Sequence, residues 1–244
     1  MPLARSIRFP IAMLIAEIYA SLQGEGLLAG TPSTFVRTSG CNLRCTWCDT
    51  PFTSWRPEGR GMTVAEIVAV VTALAPRHVV VTGGEPLLAA EVVPLSAELR
   101  RLGLHVTIET AGSVLPPGGV PACDLMSISP KLASSTPPAD TPGGWAARHA
   151  AARRRDDVLR TLAASAPYQF KFVVETAGDI DETVRWLDDL GPGIDRGRVL
   201  LMPQARTPEE LGPRSAWLAA ECARLGFRLA ERHHLLWFGG RRGT

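Results

Sequence analysis

Lysine and asparagine are nearly missing from this 244-residue chain: Lys131 and Lys171 are the only lysines and Asn42 the only asparagine, although Lys and Arg together number 26. So general an arginine skew reads as mutational bias, which makes the exceptions worth inspecting. Net charge is scarce too, since 26 Lys+Arg against 24 Asp+Glu leaves +2. That balance makes no electrostatic case for a dedicated nucleic-acid or membrane-surface binder. Nor does any stretch approach the ~20 apolar residues that a bilayer span requires; the best run, Ile11 to Ala16, is bounded by Pro10 and Glu17. Arg5 and Arg8 ahead of that run imitate a secretory leader, but Glu17 comes too early and no small-residue cleavage site follows. What is present is ordinary globular material, 45% hydrophobic and 20% charged, which excludes disordered and fibrous classes. At roughly 150 residues per domain the length admits one large domain or two small ones, and one domain over 1–244 is expected. The five cysteines are an odd number, with Cys41, Cys45 and Cys48 close together. This suits a metal or cluster site in a reducing compartment better than a disulfide framework, so a cytoplasmic location is expected.

Periodicity predicts strands at Leu14 to Tyr19 and Ser33 to Arg37, then a capping box, Thr63 with Glu66, ahead of a helix to Ala75. His78 to Thr82 is short, β-branched and ended by Gly83-Gly84, the pattern of a buried strand. The rhythm continues as helix 90–102, strands 104–109, 124–128 and 168–174, helix 180–190, strand 198–202, helix 208–225 and a last strand near 227–230. Such alternation favours an α/β fold on a parallel sheet, open or curled into a barrel. The interval 133–166 breaks it with Pro137-Pro138, Pro142 and Gly143-Gly144, followed by an Ala/Arg-rich helical stretch from Ala146 to Ala164. This is expected to be a surface excursion within the one domain. Its Arg148, Arg153, Arg154 and Arg155 fit a solvated face better than a phosphate or RNA patch.

The segment C-N-L-R-C-T-W-C places three thiolates in one short loop, spaced to bind one inorganic centre together. Structural zinc wants four protein ligands, and no fourth Cys or His lies nearby with finger spacing. A 4Fe-4S cluster with one iron free of protein fits better, because an open iron binds a small molecule through amino and carboxylate groups and passes it an electron. Cys123 and Cys222 read as buried small hydrophobes. C-x3-C-x2-C is the motif of radical S-adenosylmethionine (SAM) enzymes, and two more features resemble that superfamily in order. Thr82-Gly83-Gly84-Glu85-Pro86 matches its G-G-E-P element beside the SAM methionine moiety, and Glu109-Thr110-Ala111-Gly112 resembles the segment near the SAM ribose. Both follow strands, at the ends where α/β sheets and barrels build sites.

Leu22-Gln23-Gly24-Glu25-Gly26 before the cysteines and Cys48-Asp49-Thr50 after them resemble the 7-carboxy-7-deazaguanine synthase family. So do Ser129-Pro130-Lys131 and the tail His233-His234-Leu235-Leu236-Trp237 with Arg242-Gly243-Thr244, so that the likeness runs from about Ile18 to Thr244, interrupted after Lys131. The resemblance implies a shortened, open, partial TIM-type α/β barrel acting on 6-carboxy-5,6,7,8-tetrahydropterin. SAM is cleaved reductively, the resulting 5'-deoxyadenosyl radical takes a ring hydrogen, and ring contraction with loss of ammonia follows. It further implies a 4Fe-4S cluster on Cys41, Cys45 and Cys48, and Mg2+ on Thr50. Substrate contacts would come from Leu22, Gln23, Gly24, Glu25, Arg37, Thr82 and His233. SAM contacts would come from Trp47, Cys48, Asp49, Gly84 and Glu85, and from Glu109, Ser129, Pro130, Lys131 and Gln204. A homodimer and a flavodoxin- or ferredoxin-type electron donor are usual in such enzymes.

Some positions stay open. His233 is preferred to His234 because it precedes Trp237 by four, yet the tail carries one extra residue relative to the family. Met202-Pro203-Gln204 reads either as an adenine-binding edge or as a plain strand exit. Gln169 and Lys171 alternate with apolar residues on a strand, which turns Lys171 inward without giving it a role, and His78, His105 and His149 look like packing or surface histidines. A glycyl-radical-enzyme activase or another radical SAM enzyme shares the cysteine motif, and a non-catalytic zinc-binding module remains the alternative of another class.

Overall fold

The computed structural model describes residues 12–244, so Arg5, Arg8, Pro10 and Ile11 lie outside the described residues. These form a nine-stranded sheet in the order β3-β1-β2-β4-β5-β6-β7-β8-β9. The strands are β1 (Met13–Leu22), β2 (Pro32–Thr38), β3 (Arg60–Met62), β4 (His78–Gly83), β5 (His105–Thr110), β6 (Leu125–Ile128), β7 (Tyr168–Val174), β8 (Val199–Pro203) and β9 (Arg228–Leu229). From β2 through β4 to β9 every pairing is parallel, whereas β1 runs antiparallel to β2 and to β3. β3 and β9 end the sheet without pairing to each other, so the sheet is open and the barrel partial.

The helices are α1 (Pro51–Ser54), α2 (Val64–Ala73), α3 (Val92–Arg101), α4 (Trp145–Ala152), α5 (Asp156–Ser165), α6 (Ala177–Leu190), α7 (Pro208–Leu225) and α8 (His233–Phe238). Central strands are covered on both faces and read as continuous apolar runs: Val79, Val80 and Val81 of β4 are all buried. Phe170 and Phe172 of β7 stack at 6.1 Å, and Trp186 of α6 packs edge-on to Phe172 at 6.0 Å. The capping box of α2 is formed, with Thr63 Oγ1 accepting from the Glu66 amide at 3.2 Å and the Glu66 carboxylate accepting from the Thr63 amide at 2.7 Å. Burial pushes the Cys123 thiol up to about 12 and the Cys222 thiol up to about 11, as small packed hydrophobes. No helix among the described residues is long and apolar enough to cross a membrane.

Within 133–166 the Pro/Gly-rich part forms turns, and the helical stretch is two helices separated at Arg153–Arg155. Val158, Leu159 and Leu162 of α5 are buried, so α5 fills the crossover position between β6 and β7. Arg154 pairs with Asp156 at 2.9 Å and Asp189 at 2.7 Å, and Arg155 with Asp157 at 2.9 Å. Periodicity missed β3, which is three residues long, and α8, whose six residues show too little of a helical repeat. Thr63→Ala removes the α2 cap, and a loss of about 1 kcal/mol is expected, read as a lower urea midpoint at unchanged slope.

Candidate active site

A cavity of about 620 Å³ lies over the C-terminal ends of the parallel strands. Arg37 of β2, Thr82 of β4, Glu109 of β5, Ser127 of β6, Lys171 of β7 and Met202 of β8 all reach it. Its walls are completed by the loop after β1, the cysteine loop between β2 and α1, and the chain from His234 onward.

The cysteine loop is held by its neighbours. Arg44 donates through Nη1 to the carbonyls of Cys41 (2.8 Å) and Leu43 (2.7 Å), and Trp55 Nε1 donates to the Cys45 carbonyl at 3.1 Å. Gly83-Gly84 lies directly against the loop: the Gly84 amide bonds Thr38 O at 3.1 Å and the Glu85 amide bonds Gly40 O at 2.9 Å. A Cβ on Gly83, whose φ is +129°, would collide with the Thr38 backbone, and one on Gly84 with the Gly40 and Thr53 carbonyls. Burial, then the Glu85 carboxylate and the neighbouring thiols, push Cys41 up to about 12; burial pushes Cys45 up to about 11 despite Lys131. Thiols that resist ionising by themselves become thiolates against a cationic centre, and all three are free. Within the described residues, the group drawn within 4.8 Å for a single ion is Glu25, Asp49 and His234, and the three sulfurs do not form such a group. The buried Trp47 Nε1 has no hydrogen-bond partner among the described residues, and Trp47 lines the same cavity. This donor set fits a multi-iron cluster with a bound small molecule better than mononuclear zinc.

Facing the cysteines is a polar wall. Glu109 accepts from Gln23 Nε2 at 3.1 Å and from the Thr82 hydroxyl at 2.9 Å. Lys171 Nζ lies 2.5 Å from Glu25 Oε2 and 3.9 Å from Glu109 Oε1, and Arg232 Nε lies 3.4 Å from Glu25 Oε1. Burial alone would raise the Glu25 carboxyl, but Lys171, then Arg232 and His234, outweigh it and hold Glu25 well below the usual carboxylate range. Arg232 also donates to Asp49 at 2.7 Å, so the Glu25–Asp49–His234 group is already served by cations of the protein. Arg37 donates through Nε to Glu17 at 2.7 Å and through Nη2 to the Tyr19 hydroxyl at 2.5 Å. Lys131 donates to Ser129 Oγ at 2.8 Å.

Among the residues expected from sequence, Leu22, Gln23, Gly24, Glu25, Arg37 and Thr82 line the cavity. Trp47, Asp49, Thr50, Gly84 and Glu109 line it too, as do Ser129, Lys131 and the three cysteines. Glu85, Pro130, Gln204 and His233 are not among its lining residues. Glu85 turns beneath the Gly83-Gly84 turn and accepts from Thr110 Oγ1 (2.7 Å), the Ala111 amide (2.8 Å) and the Leu87 amide (3.1 Å), tying the end of β4 to that of β5. Burial raises its pKa despite those donors. Pro130 is buried, and the Gln204 amide oxygen is taken by Arg214.

The tail histidine is corrected: His234, not His233, faces the cavity, with Nδ1 3.7 Å from Glu25 Oε1. The spacing of four that favoured His233 is an i,i+4 helical pair, and its ring stacks on Trp237 at 5.0 Å on the outer side of α8. Sequence reasoning also missed Arg232, Glu17 and Tyr19, and gave Arg242 no role beyond its place in the tail motif. Lys171 alone carried a signal, as a rare lysine at an inward strand position. Lys171→Met leaves Glu25 and Glu109 facing each other without their shared cation, and a loss of roughly 3–5 kcal/mol is expected at neutral pH. With its nearest cation gone and only Arg232 and His234 left to offset burial, the Glu25 carboxyl shifts upward in the folded state, so the deficit should shrink as pH falls; urea unfolding at pH 8 and pH 5 measures both.

Residues 35–123 match the model of the radical SAM superfamily. The 7-carboxy-7-deazaguanine synthase of Rhodopirellula baltica is 46% identical over 237 residues, covering 96% of this chain and 89% of that one. That of Halobacterium salinarum is 45% identical, covering 93% and 91%. In fold, the chain is similar to the crystal structure of QueE from Escherichia coli, with a TM-score of 0.67 and 24% identity over 91% of this chain and 95% of that one. Neither an activase nor a zinc-binding module is the family these relatives define. At such identity over nearly the full length of both sequences, the chain belongs to the 7-carboxy-7-deazaguanine synthase family of the radical SAM superfamily.

Proposed function

We propose that this chain converts 6-carboxy-5,6,7,8-tetrahydropterin to 7-carboxy-7-deazaguanine by radical ring contraction with loss of ammonia, as a step of 7-deazapurine biosynthesis of the queuosine type. The observation that carries this reading is one cavity in which the C-x3-C-x2-C loop meets a wall of carboxylates, Glu25 among them held well below the usual range, and a buried arginine. Cys41, Cys45 and Cys48 would hold a 4Fe-4S cluster, and Trp47, Asp49, Gly84, Glu109, Ser129 and Lys131 would surround SAM. Cluster and SAM together supply one-electron cleavage to a hydrogen-abstracting radical. Thr50, whose hydroxyl lies 3.2 Å from Thr53 Oγ1, would give Mg2+ its one protein oxygen and leave the other positions to water and substrate.

The remaining steps belong to the protein. Arg37 is half of a fork already aimed by Glu17 and Tyr19, and presents its guanidinium to the substrate carboxylate. Ionised Glu25 accepts paired N–H donors of a 2-amino-4-oxo pyrimidine ring, and His234 stands beside it. Gln23 and Thr82 are oriented by the one Glu109 carboxylate, which fixes their positions relative to each other. At the mouth, Arg242 stacks 3.8 Å over Phe52 and bonds Glu17 at 3.0 Å and Glu58 at 2.9 Å, a cover that limits water. The same reading takes the chain as one radical SAM domain over 1–244, a cytoplasmic homodimer reduced by a flavodoxin- or ferredoxin-type donor.

Anaerobically reconstituted protein given 6-carboxytetrahydropterin, SAM, Mg2+ and reductant is expected to yield 7-carboxy-7-deazaguanine by mass spectrometry, and Cys45→Ala to yield none. SAM cleavage without pterin consumption sinks the substrate assignment. Arg37→Met removes a charge-assisted contact of roughly 1.5–3 kcal/mol, so KM should rise about ten- to a hundredfold while the rate at saturation changes much less.

A further inference from the structure

We infer that segment 133–152 is a clamp that presets the cysteine loop before the cluster enters, with His149 as its positioning residue. The inference rests on the reading that this loop holds an iron-sulfur cluster. Although it lies beyond residues 35–123, where the superfamily model matches, the first part of 133–166 touches the loop directly. His149 of α4 has no exposed surface and uses both ring nitrogens. Its Nδ1 accepts from the Arg44 amide at 3.1 Å, between two of the cluster cysteines. Its Nε2 lies 2.9 Å from Ser135 Oγ, whose hydroxyl donates to Leu132 O at 2.6 Å. Only one proton arrangement satisfies this chain: Nδ1 bare, Nε2–H donating to Ser135, and Ser135 donating onward. Burial, then Arg153 and Lys131, hold the imidazole down to about 4, so it stays neutral and keeps that arrangement.

Two further contacts close the clamp. The Ser135 carbonyl accepts from the Thr46 amide at 2.9 Å, on the far side of Cys45. Trp145 lies between two guanidinium groups, Arg44 at 4.0 Å and Arg148 at 3.9 Å from its ring. Stacking on Trp145 steadies the Arg44 side chain that bonds the Cys41 and Leu43 carbonyls. The base of the clamp is itself anchored on α6, where Glu182 accepts from the Ala133 amide at 2.9 Å and from Arg153 at 2.7 Å. Backbone groups on both sides of Cys45 are therefore satisfied by residues roughly a hundred positions away in sequence. Such pre-satisfaction lowers the ordering cost of binding a cluster.

Asparagine and glutamine substitutions separate positioning from packing. His149→Asn puts an amide acceptor near the place of Nδ1 and spares the Arg44 amide; His149→Gln puts its polar group near the place of Nε2 and leaves that amide bare. Reconstituted wild type, His149→Asn, His149→Gln and His149→Phe are compared by the anaerobic rate of iron transfer to EDTA, with melting of the metal-free proteins as a control. Expected is release from the Asn variant close to wild type, and from the Gln and Phe variants about tenfold faster or more, with Asn and Gln variants melting alike. Equal release from Asn and Gln, or wild-type release from Gln, overturns the clamp while the cluster reading stands. A wild type that takes up no iron overturns both.

Discussion

Two carboxylates that face one cavity repel each other unless a cation stands between them, and Lys171 is that cation. Its ammonium is buried, in contact with Glu25 and within Coulomb reach of Glu109. Glu109 in turn orients Gln23 and Thr82, so a charge on β7 sets the positions of groups delivered by the loop after β1 and by β4. A guanidinium is planar and wants a fork of acceptors, whereas an ammonium is compact and bonds in several directions. In a chain where arginine has displaced lysine almost everywhere, both lysines line this cavity. Composition and geometry thus point to the same place.

The opposite wall is organised by backbone rather than by charge. The turn after β4 is seated on the loop after β2 by amide-to-carbonyl bonds that any side chain at Gly83 or Gly84 would block. Glu85, expected beside SAM, acts one layer lower by joining the ends of β4 and β5. Its burial shows how a motif residue can belong to a site by supporting it without lining it.

How much was legible depended on the range of the signal. Strands and long helices announced themselves by periodicity, and α7 ends where its apolar repeat ends. The cysteine loop and the Gly-Gly turn were readable because their chemistry is written in adjacent residues. Arg232 was not, and Arg242 showed only as part of a tail motif without a role, since each is one arginine among many and its meaning comes from distant partners: Glu25 and Asp49 for the first, Glu17 and Glu58 for the second. His233 misled because four-residue spacing is a property of a helix surface as much as of a site. Inside 133–166, the Ala/Arg-rich sequence concealed both a buried histidine on α4 and the apolar stripe of α5.

Glu17 has two carboxylate oxygens, and they serve different masters: one holds Arg37 inside the cavity, the other holds Arg242 at its mouth. Sharing one acceptor makes the two arginines thermodynamically linked. Any charge that draws Arg37 away from Glu17 alters the hold on Arg242, and any shift of Arg242 is felt at Arg37 by the same free energy. What binds inside and how firmly the entrance arginine is held are then coupled through one side chain on β1.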